Sequence, residues 1–493
     1  MAFDQQAPAP ARTSAELSAE PVPRRTWVVI GMLLVASFVV ILNETIMSVA
    51  LPSLMADFRI TAATAQWVTT GFLLTMAVVI PTTGVVLQRF GTRAVFVAAM
   101  SLFTAGTGVA AAAPAFAALL TGRVLQAAGT AVMLPLLTTT VLSSIPAARR
   151  GRTVGMIAVV IAVAPAVGPT ISGLVLASLD WRWLFLITVP VAGTILALGA
   201  ALVRDIGTTR RVRVDLASLA LSALAFGGLV FGLSSIGEAA EGSAPVPVAV
   251  PLAAGLVALG LFVTRQLRLQ TADAALMDLR PLRAPTFVVG AVVLLVCMAA
   301  LFGTLILLPI FLQSVLGMST LQTGLLLLPG GLVMGALAPV VGRVYDRFGA
   351  RPVVAPGAVV LTAGLATMAT FDQTSSAPLI IAAHVVLSAG LALVITPAMT
   401  AALSSLDPAL YSHGSAIVNT LQQLAGAAGT AVFVSLMTRV SADRVAAGAD
   451  RIGAVADGIR FAFLCGAGLA GTAVVVALRL RPAPIERPGV NPG

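Results

Sequence analysis

Charged side chains are scarce in this chain, and the few that sit deep inside long apolar runs are where chemistry would reside. Glu44 is the only carboxylate well inside such a run, in Leu42-Asn43-Glu44-Thr45. Arg123 is the other charge placed as deep, and Gln126 follows it three residues on, on a nearby helical face. An ionised group in hydrocarbon is costly, so Glu44 must pair, face water or take up a proton. Desolvation favours the neutral form of a carboxyl group, the property a proton carrier needs. Glu44 is therefore expected to carry a proton or bind a cation, the alternative being a static pair with Arg123 that fixes helix packing. A guanidinium does not deprotonate in practice, so Arg123 would bias its neighbour or hold a hydrogen-bond network with Gln126 and Asn43.

Other polar residues on apolar runs are candidates for a substrate cavity: Gln66, Thr70, His384, Asn419 and Gln423. Asn419 and Gln423 share a helical face at i, i+4. His384 reads either as a proton or ligand site or as a satisfied structural group. There is no G-x-x-x-x-G-K-[ST] loop, no nucleophile–base constellation and no metal-ligand spacing, which argues against an enzyme, a metal protein or an ATP-driven pump. Cys297 and Cys465 fall in apolar runs and read as small buried groups.

The elements that would hold these residues are membrane helices. The chain is 58% hydrophobic and 10% charged, with a mean hydropathy of +1.03, far outside the soluble range. A spanning helix needs about 20 apolar residues, and fourteen such spans can be placed. They run near 27–51, 65–87, 93–113, 116–142, 153–177, 183–203, 214–236 and 246–264, then near 286–312, 320–342, 352–371, 377–403, 413–438 and 458–480. The runs lack the two-residue alternation of a membrane barrel. The expected fold is thus an all-α polytopic membrane protein.

Its organisation follows from a repeat. Pro81-Thr-Thr-Gly84-Val-Val-Leu-Gln88-Arg89-Phe90-Gly91-Thr92-Arg93 and Pro339-Val-Val-Gly342-Arg-Val-Tyr-Asp346-Arg347-Phe348-Gly349-Ala350-Arg351 are one motif written twice, each ending one span and opening the next. Duplicated membrane bundles with a central site are the architecture of secondary transporters. The expected layout is a disordered tail (1–24), a six-helix bundle (25–203), a linker with two inserted spans (204–284), a second six-helix bundle (285–481) and a short tail (482–493). All basic residues are arginine, and most fall in segments on one side of this arrangement, which the positive-inside rule reads as both termini cytoplasmic. The net charge of +10 is then topological and gives no continuous face for nucleic acid.

These residues resemble the major facilitator superfamily, and within it the fourteen-span drug:proton antiporter branch. The hairpin repeat is similar to the family's cytoplasmic loop motif, and Leu42 to Pro52 looks like the branch's first-span signature. Arg123-Val-Leu-Gln126-Ala-Ala-Gly129 is similar to the fourth-span motif, Gly155, Pro165, Gly168, Pro169 and Gly173 to the antiporter motif of span 5, and Trp181-Arg182-Trp183-Leu-Phe185 follows as expected. The resemblance covers nearly the whole chain apart from its tails. Gln88 stands where the first loop motif usually has Asp, Ala164 and Ser172 replace two antiporter-motif glycines, and Asn43 precedes Glu44 in a sub-pattern that resembles exporters linked to lincosamide resistance.

The resemblance implies that the first and fourth spans of each half line a central cavity, that the loop motifs gate it and that span 5 makes a leak-tight contact between halves. Gly84 and Gly342 are expected to pack closely and Gly91 and Gly349 to turn tightly. Arg89, Arg93, Arg347 and Arg351 would engage carboxylates or helix C-termini, Asp346 would favour a helix N-terminus, and Gln88 would weaken the first lock. The function expected is proton-coupled efflux of amphipathic or cationic small molecules from a monomer in the bacterial cytoplasmic membrane, with no cofactor and the proton gradient as energy source. The alternatives are a dedicated exporter of one metabolite or a membrane sensor that has lost transport.

Overall fold

The computed structural model describes residues 23–145, 164, 167–205, 215–240, 246–272, 275–407 and 410–480, and all of its regular structure there is helical. In hydrocarbon every backbone N–H and C=O must be satisfied internally, which long apolar helices do by themselves. The helices are α1 (Arg24–Phe58), α2 (Trp67–Ala111), α3 (Phe116–Ser144), α4 (Val167–Leu176), α5 (Arg182–Leu202), α6 (Leu216–Ala240) and α7 (Ala249–Leu269). They continue as α8 (Pro285–Ile310), which runs into the π-turn Phe311–Val315, α9 (Thr320–Phe348), α10 (Arg351–Met368), α11 (Ala377–Ser404), α12 (Tyr411–Ala446) and α13 (Arg451–Ala477). Helix starts are capped where the sequence allows: Ser319 and Gln322 form a reciprocal capping box on α9, and the Asp450 carboxylate accepts from the Gly453 N–H on α13.

Twelve helical segments among the described residues are long and apolar enough to cross a membrane. Two of the fourteen expected spans fall outside that set. The second is represented by the shorter apolar segment Trp67–Thr83 of α2, and the fifth by α4 and residue 164, the rest of it lying outside the described residues. α2 covers two expected spans because its backbone leaves the helical region only at Gly91 (φ 72°, ψ 165°). The matching residue of the second motif copy, Gly349, closes α9 with φ 81° and ψ −173°. Both conformations lie where a β-carbon is strained, which is why glycine occupies each turn.

Two groups of helices enclose the core. α1, α2, α3 and α5 share buried Ile30, Leu33, Phe96, Phe103, Met133 and Ala192. Buried Phe287, Leu294, Leu361, Leu387 and Phe463 bring together α8, α10, α11 and α13. α6 and α7 pack backbone to backbone through Gly228 and Gly255. α6 also lies against both α2 and α12, so the α6–α7 pair straddles the seam between the groups. At the distal end, where α1 finishes, the groups meet directly. The Thr170 hydroxyl donates to the Gly324 carbonyl (3.1 Å), and Gln313 Nε2 donates to the Val49 carbonyl (3.3 Å).

At the basal end, where α1 begins, a polar network ties α6, α7 and the following linker to α12. Arg265 grips Asp215 with both Nε (2.7 Å) and Nη2 (2.8 Å), and the Ser218 hydroxyl donates to the same carboxylate. This guanidinium holds the Asp215 carboxyl well below the usual carboxylate range, with Ser218 assisting. Buried Gln266 donates to Ser218 Oγ (2.6 Å) and accepts from the Met277 N–H (3.1 Å). The Asp278 N–H donates to His413 Nδ1 of α12 (3.2 Å). Burial works against a charged Asp278 carboxylate, yet Arg280, which binds it through side chain and backbone, keeps it below the ordinary value.

Candidate functional site

A cavity of about 220 Å³ lies between the two groups of helices. Ile41, Glu44 and Thr45 of α1, Leu134 and Thr138 of α3 and Pro169 of α4 form one wall. The other is built by α8 (Met298, Phe302, Thr304, Pro309), α9 (Leu327, Gly331, Met334), α11 (His384, Leu387, Ser388, Thr396, Met399) and α12 (Ser415, Asn419, Gln422, Gln423). It extends toward the basal end, where Thr396 is exposed, and the α4–α9 and Val49–Gln313 contacts lie across its distal end.

Glu44 is partly exposed, and what it is exposed to is this cavity. Among the described residues its carboxylate makes no hydrogen bond and no ion pair within 4.0 Å. Its sequence neighbour Asn43 points elsewhere, because successive residues of a helix are about 100° apart. Asn43 Oδ1 accepts from Arg123 Nη1 (3.0 Å), which also donates to Gln126 Oε1 (3.1 Å). Arg123 Nε donates to the Val68 carbonyl (3.3 Å), and the guanidinium lies 4.2 Å from the Phe72 ring centroid. Gln126 Nε2 in turn donates to Thr107 Oγ1 (2.9 Å). Arg123 is fully buried in a network of neutral acceptors. Glu44 and Arg123 are close enough to interact electrostatically but make no direct ion pair within 4.0 Å among the described residues, whereas the expected Arg123–Gln126–Asn43 contacts are formed.

His384, Asn419 and Gln423 line the cavity, and Asn419 Nδ2 donates to Ser415 Oγ (3.2 Å). Gln66 and Thr70, expected there, do not line it. Gln66 Nε2 donates to the Ser234 carbonyl of α6 (3.1 Å), since the start of α2, which Gln66 precedes, lies against α6, and Thr70 is wholly buried. Asn43 is turned from the cavity by its bond to Arg123. The sequence reading missed Thr45, Thr138, Thr304, Ser388, Ser415 and Gln422 on the cavity wall and Thr107 behind it. One signal was present, since Ser415, Asn419 and Gln423 continue a single i, i+4 stripe.

The span-5 glycines that are described sit at two close contacts, one with the Thr45 side chain and one with the backbone of α9. A β-carbon on Gly168 would lie 2.3 Å from Thr45 Oγ1, and one on Gly173 would lie 2.6 Å from the Thr320 carbonyl oxygen and 3.1 Å from Gly324 Cα. Pro169 lines the cavity between them. Gly155 and Pro165 lie outside the described residues.

The loop motifs are at the basal end. Arg93 donates to the Ala200 carbonyl near the end of α5 through Nε (3.2 Å) and Nη2 (2.8 Å), while its backbone N–H donates to Asp205 Oδ1 (2.9 Å). Arg89 and Arg347 lean over their neighbours Phe90 and Phe348 in matching fashion, at 5.5 and 5.2 Å. Asp346 and Arg351 are exposed, and Gly84 and Gln88 are helical residues of α2. A β-carbon on Gly342 would meet nothing within 4 Å, so the close packing expected of it is not formed; this face of α9 borders open space.

This geometry has counterparts among known proteins. The profile of the Major Facilitator Superfamily matches residues 33–430. The chain is 41% identical over 418 residues to the lincomycin resistance protein LmrB of Listeria monocytogenes, covering 85% of this chain and 87% of that one. It is 30% identical over 411 residues to the multidrug resistance protein B homolog of Mycobacterium tuberculosis, covering 83% and 75%. The crystal structure of a bacterial homolog of the human lysosomal transporter Spinster, in an inward-facing and unoccupied conformation, superposes with a TM-score of 0.64 at 12% identity, covering 93% of this chain and 97% of that one. Family and fold are those of non-enzymatic, multi-pass membrane transporters, and the chain belongs to the major facilitator superfamily.

Proposed function

We propose that this protein exports amphipathic, cationic small molecules in exchange for protons. The observation that carries the reading is the cavity itself, whose one carboxylate, Glu44, makes no hydrogen bond and no ion pair within 4.0 Å among the described residues, while apolar and neutral polar side chains form most of the remaining wall. Such a surface offers a cation one countercharge and an apolar body broad, adaptable contact. A proton and a cationic substrate would compete for Glu44. In the distally closed form, a cation binds the carboxylate from the basal side; after the groups rock about the seam, a proton displaces it, and the neutral carboxyl returns. Arg123 would keep the α1 register that aims Glu44 inward.

The finer topology belongs to this proposal: fourteen spans in two six-helix bundles with an inserted pair, both termini cytoplasmic, and a monomer in the bacterial cytoplasmic membrane. The similarity to lincomycin and multidrug resistance proteins supports the direction of transport. A dedicated exporter of one metabolite would use the same cavity with a narrower range. The test is ethidium movement in proteoliposomes under an imposed pH gradient, with wild type and Glu44→Gln. Gradient-driven movement that is lost in the variant is expected; movement retained in Glu44→Gln would remove Glu44 as the exchange site, and absence of movement in the wild type would overturn the reading.

A further inference from the structure

Two titratable side chains line the cavity among the described residues, and they come from opposite groups of helices: Glu44 on α1 and His384 on α11. The exchange proposed above uses only the first. His384 is not held as a structural histidine ordinarily is, because its buried Nδ1 has no hydrogen-bond partner among the described residues. Its place is made by α9. A β-carbon at Gly330 would stand 2.4 Å from Nδ1 and 2.6 Å from Cε1, so any other residue there would displace the imidazole. A buried nitrogen left unpaired costs free energy, and it is retained here on the wall of the cavity that alternating access must open to water.

The surroundings of His384 are otherwise uncharged. The α8 wall offers Thr304, Leu305 and Leu308, and α12 offers Asn419 and Gln423. The charged residues of α9 (Arg343, Asp346, Arg347) lie thirteen or more positions from Gly330, about 20 Å along the helix. Arg351 of α10 begins its helix at the basal end, whereas α11 starts from the distal one, and His413, Arg439, Asp443 and Arg444 of α12 lie outside its cavity-lining stretch. The one other titratable group that His384 shares the cavity with, among the described residues, is the Glu44 carboxyl.

We infer that His384 is a second proton-carrying residue of the exchange, so that two protons enter for each monovalent cation expelled. This rests on the exporter reading of the same cavity. On the proton-rich side Glu44 loses its negative charge and His384 gains a positive one, and both changes drive a cation out. On the other side both protons leave, which regenerates the carboxylate and the neutral imidazole. Charge then balances differently in the two schemes. One proton exchanged for one monovalent cation moves no net charge, whereas two protons for one cation carry one net positive charge inward per cycle. An inside-negative potential of 100 mV would then multiply the attainable ethidium gradient by about 50, and would leave an electroneutral exchanger unaffected.

The experiment separates the two forces. Proteoliposomes carrying the full chain receive either a pH gradient with the potential clamped at zero by valinomycin and equal potassium, or a potassium diffusion potential at equal pH. Wild type is expected to move ethidium in response to both. His384→Asn and Gly330→Ala, which removes the imidazole from its place without changing its chemistry, are expected to respond to the pH gradient only. A wild type that responds to the pH gradient and ignores the potential overturns this inference and leaves the exporter reading standing, as does a potential response retained in His384→Asn. A wild type that responds to neither overturns both. Protons released per ethidium bound in detergent provide an independent check, with about two expected for wild type and about one for His384→Asn; equal release would also overturn the inference.

Discussion

Gly173→Ala should shift the balance between the two access states, and by an amount that the seam geometry sets. The added methyl would lie 2.6 Å from the Thr320 carbonyl oxygen and 3.1 Å from Gly324 Cα. Both neighbours are backbone, so neither can rotate aside, and α4 and α9 must separate by most of an ångström. Overpacking of this kind costs about 1–3 kcal/mol. The cost falls on the state in which the distal ends touch and is absent once they part, so it acts as a bias of about 5- to 150-fold on the equilibrium constant. Distances between spin labels on exposed Ser178→Cys and Ser314→Cys, in a Cys465→Ala background, would report the two populations directly. A longer-distance population that grows by at least fivefold is expected. Unchanged populations in a well-folded Gly173→Ala protein would refute the claim that this contact closes the distal end.

Arg123→Lys should lower the thermal stability of the detergent-solubilised protein, because one ammonium cannot reach Asn43, Gln126 and Val68 while stacking on Phe72; the loss of a charged hydrogen bond is worth about 1.5–3 kcal/mol, and an unchanged Tm would count against the network. Asp278→Asn should loosen the linker from α12, which trypsin cleavage at Arg283 would register as faster proteolysis than in wild type. The Asp215 clamp should be insensitive to pH across the neutral range. Its carboxyl is depressed in the folded protein, so its stabilisation is fully present above the unfolded carboxylate value of about 3.9 and is lost as pH falls through the lower folded value. The Tm difference between wild type and Asp215→Asn should therefore stay constant from pH 5 to 9, and a difference that disappears within that window would contradict the geometry.

The helical architecture was legible because membrane spans announce themselves by length and hydropathy, and because the motif at Gly91 and Gly349 recurs with the same positive-φ turn. What each polar side chain faces was less so. Gln66 looked like a cavity residue since an amide in an apolar helix must find a partner, but a neighbouring helix supplies one as well as a cavity does, and Ser234 of α6 was that partner. Periodicity offers no help, because helix-facing and lipid-facing surfaces are equally apolar. The hydroxyl residues were silent for another reason. Thr138 bonds its own helix backbone, so its type is compatible with any surface. Asn43 and Glu44 show the limit most clearly: depth was readable from the sequence, but only the helix rotation decides that one meets Arg123 and the other the cavity.

That rotation also connects Glu44, the exchange site proposed above, to the seam. α1 is held on one side by Asn43 against Arg123 and on another by Thr45 against Gly168, where a single methyl has no room. Glu44, between the two, faces the cavity. Gly168 lies five residues from Gly173 on the same helix, and Gly173 meets Gly324 across the seam that closes the distal end. A charge change at Glu44 therefore acts on a segment of α1 that touches, through the short Thr45 side chain, the helix that makes the closing contact. Interfaces packed this tightly have discrete arrangements and do not deform continuously. A proton at Glu44 would then bias which of those arrangements is populated, which is the coupling that an exchanger requires.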